Sequence, residues 1–239
     1  MSAVLCIALR EARSFFRVPL GWVVIALYLF LTGVVFAERT LVPGEPASLR
    51  YLFSISGFLL LPVAPAISMR LFSDELRAGT IEPLLTAPVR DLEIVLGKFV
   101  GGVLFLLAIL APTLAHAAIL VAVSDPQPDP GPIAAGYLSL VLLGGLYLAV
   151  GSFFSTLTAS QTLAFLSTFL FLLVALLGTS DLVAAPPPTD RWLAAVAIGP
   201  RLADLGRGVI DTAHVVFFLS GTALFLALAH VSLQSRRWR

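Results

Sequence analysis

The sequence predicts an all-α integral membrane protein with six membrane-spanning helices, and its composition and apolar pattern carry this prediction. Hydrophobic residues make up 59% of the 239 residues, and charged residues make up only 12%, about half of the ~25% that is typical of soluble domains. The apolar residues form continuous runs and do not alternate with polar ones, which argues against a β-barrel. Within lipid, a helix satisfies the backbone polar groups of such a run internally.

The charge balance and the cysteine content exclude several other classes of protein. The formal net charge is +1, so no broad electrostatic field attracts nucleic acid, and we expect no nucleic-acid partner. Cys6 is the one cysteine, which excludes an intramolecular disulfide and a cysteine-based metal site.

Long uncharged stretches mark the predicted spans, because charged side chains are costly in the hydrocarbon core. About 20 apolar residues are needed for a helix to cross ~30 Å of hydrocarbon. The stretch 130–180 is uncharged and too long for one span, so a turn is predicted at the polar cluster 155–161. The six predicted spans are 18–37, 51–69, 99–123, 133–154, 161–180 and 212–234.

The positions of the basic residues predict that both termini are cytoplasmic. With that orientation, ten of the 15 Lys and Arg residues lie inside and five lie outside, as the positive-inside rule requires. The basic sequence at 236–239 then ends the sixth span on the inner side. We therefore expect a multi-pass protein of the cytoplasmic (inner) membrane.

Residues 2–17 are predicted to form an amphipathic helix at the membrane interface. Arg10, Arg13 and Arg17 fall on one face at 100° per residue, and apolar side chains fall on the opposite face. Such a helix lies flat with its arginines toward the phosphates. It is interpreted either as a topology anchor or as an elbow that also contacts a cytoplasmic partner.

The segment 70–98 is predicted to be a cytoplasmic loop that contains two short helices. It carries four basic and five acidic residues. Gly79 can end the first helix in a left-handed conformation, and Thr80 can cap the second. The second helix presents Leu84 and Leu85 to the groove of a partner protein. The alternative is a solvated loop whose charges only set the topology.

Two further connections are candidates for function. The inner turn holds Ser155, Thr156 and Thr158, and it is either a plain turn or a second, smaller contact for the same partner. The outer segment 181–211 is predicted to be helical at its end, because apolar residues repeat there at helical spacing. That helix is either an interfacial loop helix or an external gate, with Arg207, Gly208 and Asp211 as gate candidates.

No catalytic or metal site is predicted. Gly97–Lys98 resembles the end of a phosphate-binding loop, but Leu92 and Phe99 occupy the positions where that loop needs Gly and Ser/Thr. We therefore expect no cofactor on this chain. Gly97 and Gly101 form a small-xxx-small pair, which permits close approach of a second helix.

His116 lies near the middle of the third span and is a candidate for a translocation pathway. Ionisable residues within a membrane are functional candidates by default. The favoured alternative is a neutral histidine that is bonded to the carbonyl group that Pro112 leaves free.

Residues 70–98 also resemble the signature region of the ABC-2-type export permeases. The matching residues are Asp74, Glu75, Gly79, Thr80, Glu82, Leu84–Leu85, Pro88–Val89, Glu93 and Gly97–Lys98, with a second match at 207–211 and 216–218. The pattern is most similar to the gliding-motility-associated branch, which resembles the permease that assists nitrous-oxide-reductase maturation. The proline-rich stretch 184–188 departs from that pattern.

The resemblance implies a non-catalytic permease subunit that pairs as a homodimer or with a related permease. A separate cytoplasmic ABC ATPase would bind ATP and Mg²⁺ and drive export. The implied ATPase-coupling residues are Asp74, Glu75, Arg77, Gly79, Thr80, Glu82, Leu84, Leu85 and Pro88. The alternatives are a membrane anchor that recruits an ABC ATPase for motility or metalloenzyme maturation without moving a cargo, and, less favoured, a lipid-modifying enzyme. Lipid, peptide or a small hydrophobic compound fits the apolar sequence equally well as cargo.

Overall fold

The computed structural model describes residues 2–42, 47–80, 89–177 and 211–237. Within these ranges the regular structure is helical. A π-helical turn, Phe36–Thr40, follows the second helix, and a 3₁₀ turn, Ala111–Thr113, separates the fourth from the fifth. The α-helices are α1 (Ala3–Arg17), α2 (Pro19–Val35), α3 (Arg50–Ala78), α4 (Asp91–Leu110), α5 (Leu114–Val123), α6 (Pro130–Leu157), α7 (Gln161–Leu177) and α8 (Thr212–Arg237).

Five helical stretches among the described residues are long and apolar enough to cross a membrane. They are Pro19–Thr40, Arg50–Ala78, Asp91–Val123, Pro130–Leu157 and Thr212–Ser235. The apolar helix at Gln161–Leu176 is shorter, and the residues that follow α7, up to 210, lie outside the described ranges. The predicted multi-pass helical architecture is confirmed, and the predicted fifth span at 161–180 stays a prediction.

The helices at the predicted loop 70–98 differ from the expectation. Residues 70–78 continue α3 without a break, so the first of the two predicted short helices is the end of this long helix. Gly79 ends α3 at φ 69°, as predicted, and the Thr80 N–H donates to the Glu75 carbonyl at 3.0 Å. The predicted second short helix falls at 81–88, outside the described residues.

The start of α4 and the end of α6 also lie outside the predicted bounds of their spans. The helix α4 begins at Asp91, where the Arg90 N–H donates to the Glu93 carboxylate at 3.0 Å. The turn predicted from Ser155 begins three residues later, because α6 runs to Leu157. Buried packing of the last turn of α6 accounts for this extension, since Ser155 and Thr156 are both inaccessible to solvent.

The helix α1 is held by protein contacts on its apolar face. Its buried residues Ile7, Ala8 and Phe15 pack against α4, and the Phe15 ring stacks on Phe105 with centroids 4.7 Å apart. The predicted segment is therefore helical and packs against a neighbouring helix, and its position at the membrane interface stays a prediction. In the centre of the bundle, α3 packs against both α6 and α7.

Candidate functional site

Three consecutive residues near the Gly79 end of α3 contact three different parts of the molecule. We call Ser73, Asp74 and Glu75 the α3 anchor. Successive helical residues point about 100° apart, so three neighbours in sequence reach three surrounding surfaces. Each of them pairs with a residue more than 60 positions away in sequence.

Ser73 joins α3 to α6 through Ser155, and both serines are fully buried. The Ser73 hydroxyl donates to the Ser155 carbonyl at 3.2 Å. In the other direction, the Ser155 Oγ accepts the backbone N–H groups of Phe72 and Ser73 at 3.1 and 3.0 Å. The same hydroxyl donates to the Met69 carbonyl at 3.1 Å. This cluster holds the two backbones at a fixed separation.

Close approach of α3 and α6 continues one turn deeper, at Gly151. A Cβ atom at this position would overlap the hydroxyl of Ser68. Glycine is therefore required there by space and not by backbone conformation. Small residues at such positions let membrane helices pack with their backbones close together.

Asp74 joins α3 to the start of α7. One carboxylate oxygen of Asp74 accepts a hydrogen bond from the Arg70 Nε at 3.2 Å. This ion pair lies within α3. The other oxygen accepts from the side-chain amide of Gln161, the first residue of α7. The Asp74 side chain is 36% exposed, so water screens the pair with Arg70 and its contribution to stability is small.

Glu75 joins α3 to α4 and to α1 through a buried lysine. The Glu75 Oε1 atom lies 2.9 Å from the Lys98 Nζ atom. The Lys98 ammonium also donates to the Glu11 carboxylate on α1 at 3.1 Å and to the Leu71 carbonyl at 2.5 Å. On the solvent side, Arg10 lies 3.0 Å from Glu11 and 3.3 Å from Glu75.

The surroundings of Lys98 satisfy its charge even though the side chain is only 1% exposed. An ammonium group has three N–H donors, and here Glu11, Glu75 and the Leu71 carbonyl receive them. The Phe72 ring adds a cation–π contact at 5.3 Å. Loss of one partner of such a group is strongly destabilising, because it leaves a buried charge uncompensated.

The glycine pair on α4 explains how α1 comes within reach of Lys98. A Cβ built on Gly97 would lie 2.7 Å from the Ile7 Cβ. A Cβ built on Gly101 would lie 2.6 Å from the Glu11 Cβ. The predicted small-xxx-small pair therefore forms the surface on which α1 packs, and the close approach of the two backbones brings Glu11 to the ammonium.

The structure divides the predicted coupling residues into two groups. Asp74 and Glu75 are turned toward other helices of this chain, whereas Arg77, Gly79 and Thr80 are exposed at the end of α3. The remaining predicted coupling residues, Glu82, Leu84, Leu85 and Pro88, lie outside the described residues.

The predicted second inner contact is divided in the same way. Ser155 is enclosed by α3, and the Thr156 hydroxyl contacts Ser232 of α8 at 2.9 Å. Both side chains are buried against neighbouring helices of this chain, and a contact between this turn and a partner stays a prediction. Thr158, which lies in the break between α6 and α7, is half-buried.

The outer-gate candidates fall mostly outside the described residues, which include Asp211 but not Arg207 or Gly208. The Asp211 carboxylate accepts the N–H of Ala213 at 2.8 Å. This is the hydrogen bond of an N-cap residue at the start of a helix, so Asp211 initiates α8.

His116 packs against the end of α2. Its ring lies 4.8 Å from the ring of Phe36. The Nδ1 atom has no hydrogen-bond partner among the described residues. The structure thus gives His116 an aromatic contact, and neither a pathway role nor the predicted bond to the carbonyl freed by Pro112 is tested by it.

Sequence reasoning missed Lys98, Glu11 and Arg10 as members of one cluster. Their signals were present separately, since Glu11 is the only acidic residue before Glu38, and Lys98 is the only lysine of the chain. Sequence spacing does not reveal that the two side chains, 87 positions apart, share a hydrogen bond.

The described residues contain no group of three His, Cys, Asp or Glu side chains that could hold a metal ion. None of the curated proteins gives a significant match to the chain. A family model described as an ABC-2 family transporter protein matches residues 43–198, which is more than half of the chain and includes the α3 anchor. The chain belongs to the ABC-2 transporter family.

Proposed function

We propose that this chain is the permease subunit of an ATP-driven export system, in which a separate cytoplasmic ABC ATPase binds ATP and Mg²⁺. The chain itself is proposed to be non-catalytic and to bind no cofactor. Membership of the ABC-2 transporter family carries this proposal. Two copies, or this chain and a related permease, would pair around the path of the cargo in the cytoplasmic membrane. Both termini would be cytoplasmic.

The length of α3 supports a coupling role for its Gly79 end. At 1.5 Å per residue, its 29 residues extend about 43 Å, which is longer than the ~30 Å hydrocarbon core. One end of α3 therefore extends beyond the core. The exposed residues 77–80, which include Arg77, Gly79 and Thr80, lie at the Gly79 end and lead directly into the proposed coupling segment at 81–88.

The contacts of the α3 anchor suggest how force passes from the ATPase into the membrane bundle. We propose that Leu84 and Leu85 contact the ATPase, together with Glu82, Pro88 and the exposed residues at the end of α3. Asp74 and Glu75 then act within the chain and hold the end of α3 to its neighbours. Thr158, in the adjacent break, is the proposed second contact.

Substitution of Leu84 by aspartate tests the proposed docking. The Leu84→Asp substitution places a charge in an apolar interface, where it is costly without a partner. We expect the ATPase that co-purifies with the chain to fall at least tenfold, while membrane insertion is unchanged. The matched control is Leu41→Asp, because Leu41 is 40% exposed and lies on the predicted outer side. Normal recovery of the ATPase with Leu84→Asp would contradict the coupling-helix assignment.

The rate of ATP hydrolysis distinguishes a transporter from the alternative function, a membrane anchor that only recruits the ATPase. A permease that couples hydrolysis to movement changes the turnover of its ATPase, whereas a passive anchor only localises it. The comparison is between the ATPase alone and the reconstituted complex in lipid nanodiscs. An unchanged rate in a stable complex would favour the anchor. The gliding-motility-associated branch remains the proposed subfamily.

A further inference from the structure

We propose that Lys98 is a positioning residue that joins α1, α4 and the Gly79 end of α3 into one rigid unit. The coupling segment would then move the N-terminal helix together with α3. This inference rests on the proposed function, because it describes how a movement of the coupling segment at Gly79 is transmitted to α3 and α1. In this proposal, Gly79 is the hinge between the coupling segment and the rigid unit. The rigid unit begins at the α3 anchor.

The three donors of Lys98 provide the first line of support. Its Nζ atom lies on α4 and contacts Glu11 of α1 at 3.1 Å and Glu75 of α3 at 2.9 Å. A third contact, to the Leu71 carbonyl, fixes the ammonium to the backbone of α3. A single side chain thus makes polar contacts with both of the other helices.

The packing of α1 provides the second line of support. The apolar face of α1 packs along α4, where the backbones meet at Gly97 and Gly101. Between α1 and α3, the hydrogen bonds and ion pairs in the described part of the chain run through Glu11, Lys98 and Arg10. The direct polar contacts between α1 and α3 are therefore made by charged side chains.

Burial distinguishes the contribution of Lys98 from that of Arg10. The Arg10 side chain is 57% exposed and that of Lys98 is 1% exposed. Water and salt screen the outer pairs of Arg10. The inner ammonium is shielded, so separation of α1 from α3 would leave it and its carboxylates buried without partners.

The single native cysteine allows this unit to be measured directly. Cys6 is exposed on α1, and Arg77 is exposed near the end of α3. In an Arg77→Cys parent, spin labels at positions 6 and 77 report the α1–α3 distance by pulsed electron paramagnetic resonance. The measurement uses the full chain in lipid nanodiscs without the ATPase.

We expect Lys98→Met to broaden this distance distribution at least twofold relative to the parent. The matched control is Arg70→Met, since Arg70 pairs with Asp74 within α3, and it should leave the width unchanged. If Lys98→Met does not yield a monodisperse protein, Glu75→Gln removes one carboxylate charge at nearly constant volume and should broaden the distribution in the same direction. A width equal to that of the parent, in whichever of these variants is folded, would overturn the proposal.

A second measurement places the unit within the transport cycle. In the complex trapped with ATP and vanadate, we expect the distance between positions 6 and 77 to stay constant in the parent and to change when Lys98 is replaced. A changed distance in the trapped parent would refute the movement of α1 with α3. Failure of the unlabelled wild-type chain, which keeps Arg77, to bind any ATPase would refute the proposed function, and the width measured without the ATPase would still decide the role of Lys98.

Discussion

Substitution of Ser155 by alanine is the most direct test of the contact between α3 and α6. The change removes an oxygen that accepts the backbone N–H groups of Phe72 and Ser73 at 3.1 and 3.0 Å. It also removes the donor to the Met69 carbonyl at 3.1 Å. The substitution leaves no large cavity, because it removes only the Oγ atom of a fully buried side chain.

The expected loss of stability follows from these lost hydrogen bonds. A typical hydrogen bond contributes about 1 kcal/mol net, and a buried polar group left without a partner costs about 1–3 kcal/mol. Some of the affected backbone groups retain helical partners, so we expect a total loss of about 2–3 kcal/mol. For a chain of this size, each kcal/mol lowers the melting temperature by about 2–4 °C. The melting temperature should therefore fall by about 4–12 °C.

The assay is the melting temperature of the monodisperse protein in detergent, measured by intrinsic fluorescence and by size-exclusion recovery after heating. Ser152→Ala is the matched control, because Ser152 is also buried on α6 but donates only within its own helix, to the Leu148 carbonyl at 2.7 Å. We expect the control to stay within about 0.5 kcal/mol of the parent. Equal losses for the two serines would refute the assignment of Ser155 as an interhelical contact.

Two further predictions concern helix packing and helix initiation. Gly101→Ala should lower stability by about 1–3 kcal/mol, since its Cβ would lie 2.6 Å from that of Glu11. Gly145→Ala should be neutral or stabilising, because no atom apart from the adjacent residues and backbone of its own helix lies within 4 Å of the new carbon. Similar melting temperatures would contradict the α1–α4 packing. Asp211→Ala should cost about 1 kcal/mol by loss of the N-cap, with Asp211→Asn near the parent and ATPase co-purification unchanged in both. Equal destabilisation by the two Asp211 variants would argue for a role of the charge itself.

Much of the helical architecture was predictable because its causes are local. The uncharged stretches predicted the regions of the long apolar helices, since exclusion of charge from lipid acts residue by residue. Gly79 predicted the end of α3, because a left-handed residue ends a helix wherever it occurs. The helix α4 begins at Asp91, before the predicted span 99–123, because charged residues extend a helix beyond the hydrocarbon without an apolar signal.

The candidate site was only partly predictable because its contacts are long-range. Asp74 and Glu75 were expected to be ATPase-coupling residues from the family resemblance, and the sequence did not indicate their partners within the chain. In the structure, Gln161 and Lys98 contact them. Ser155 was predicted to lie in a turn, because a polar cluster between apolar runs is typical of one. The backbone of α3 contacts it in the structure.

The sequence by itself determined that this chain is a multi-pass helical membrane protein, with a charged segment after its second long helix. Composition and charge placement suffice for that, because the bilayer imposes the same requirement on every residue it surrounds. Only the tertiary structure decided which charges remain exposed at that segment and which are internal. The assignment depends on Gly97 and Gly101 bringing α1 against α4, since the electrostatic partners of Lys98 are set by distance in space and not by separation along the chain.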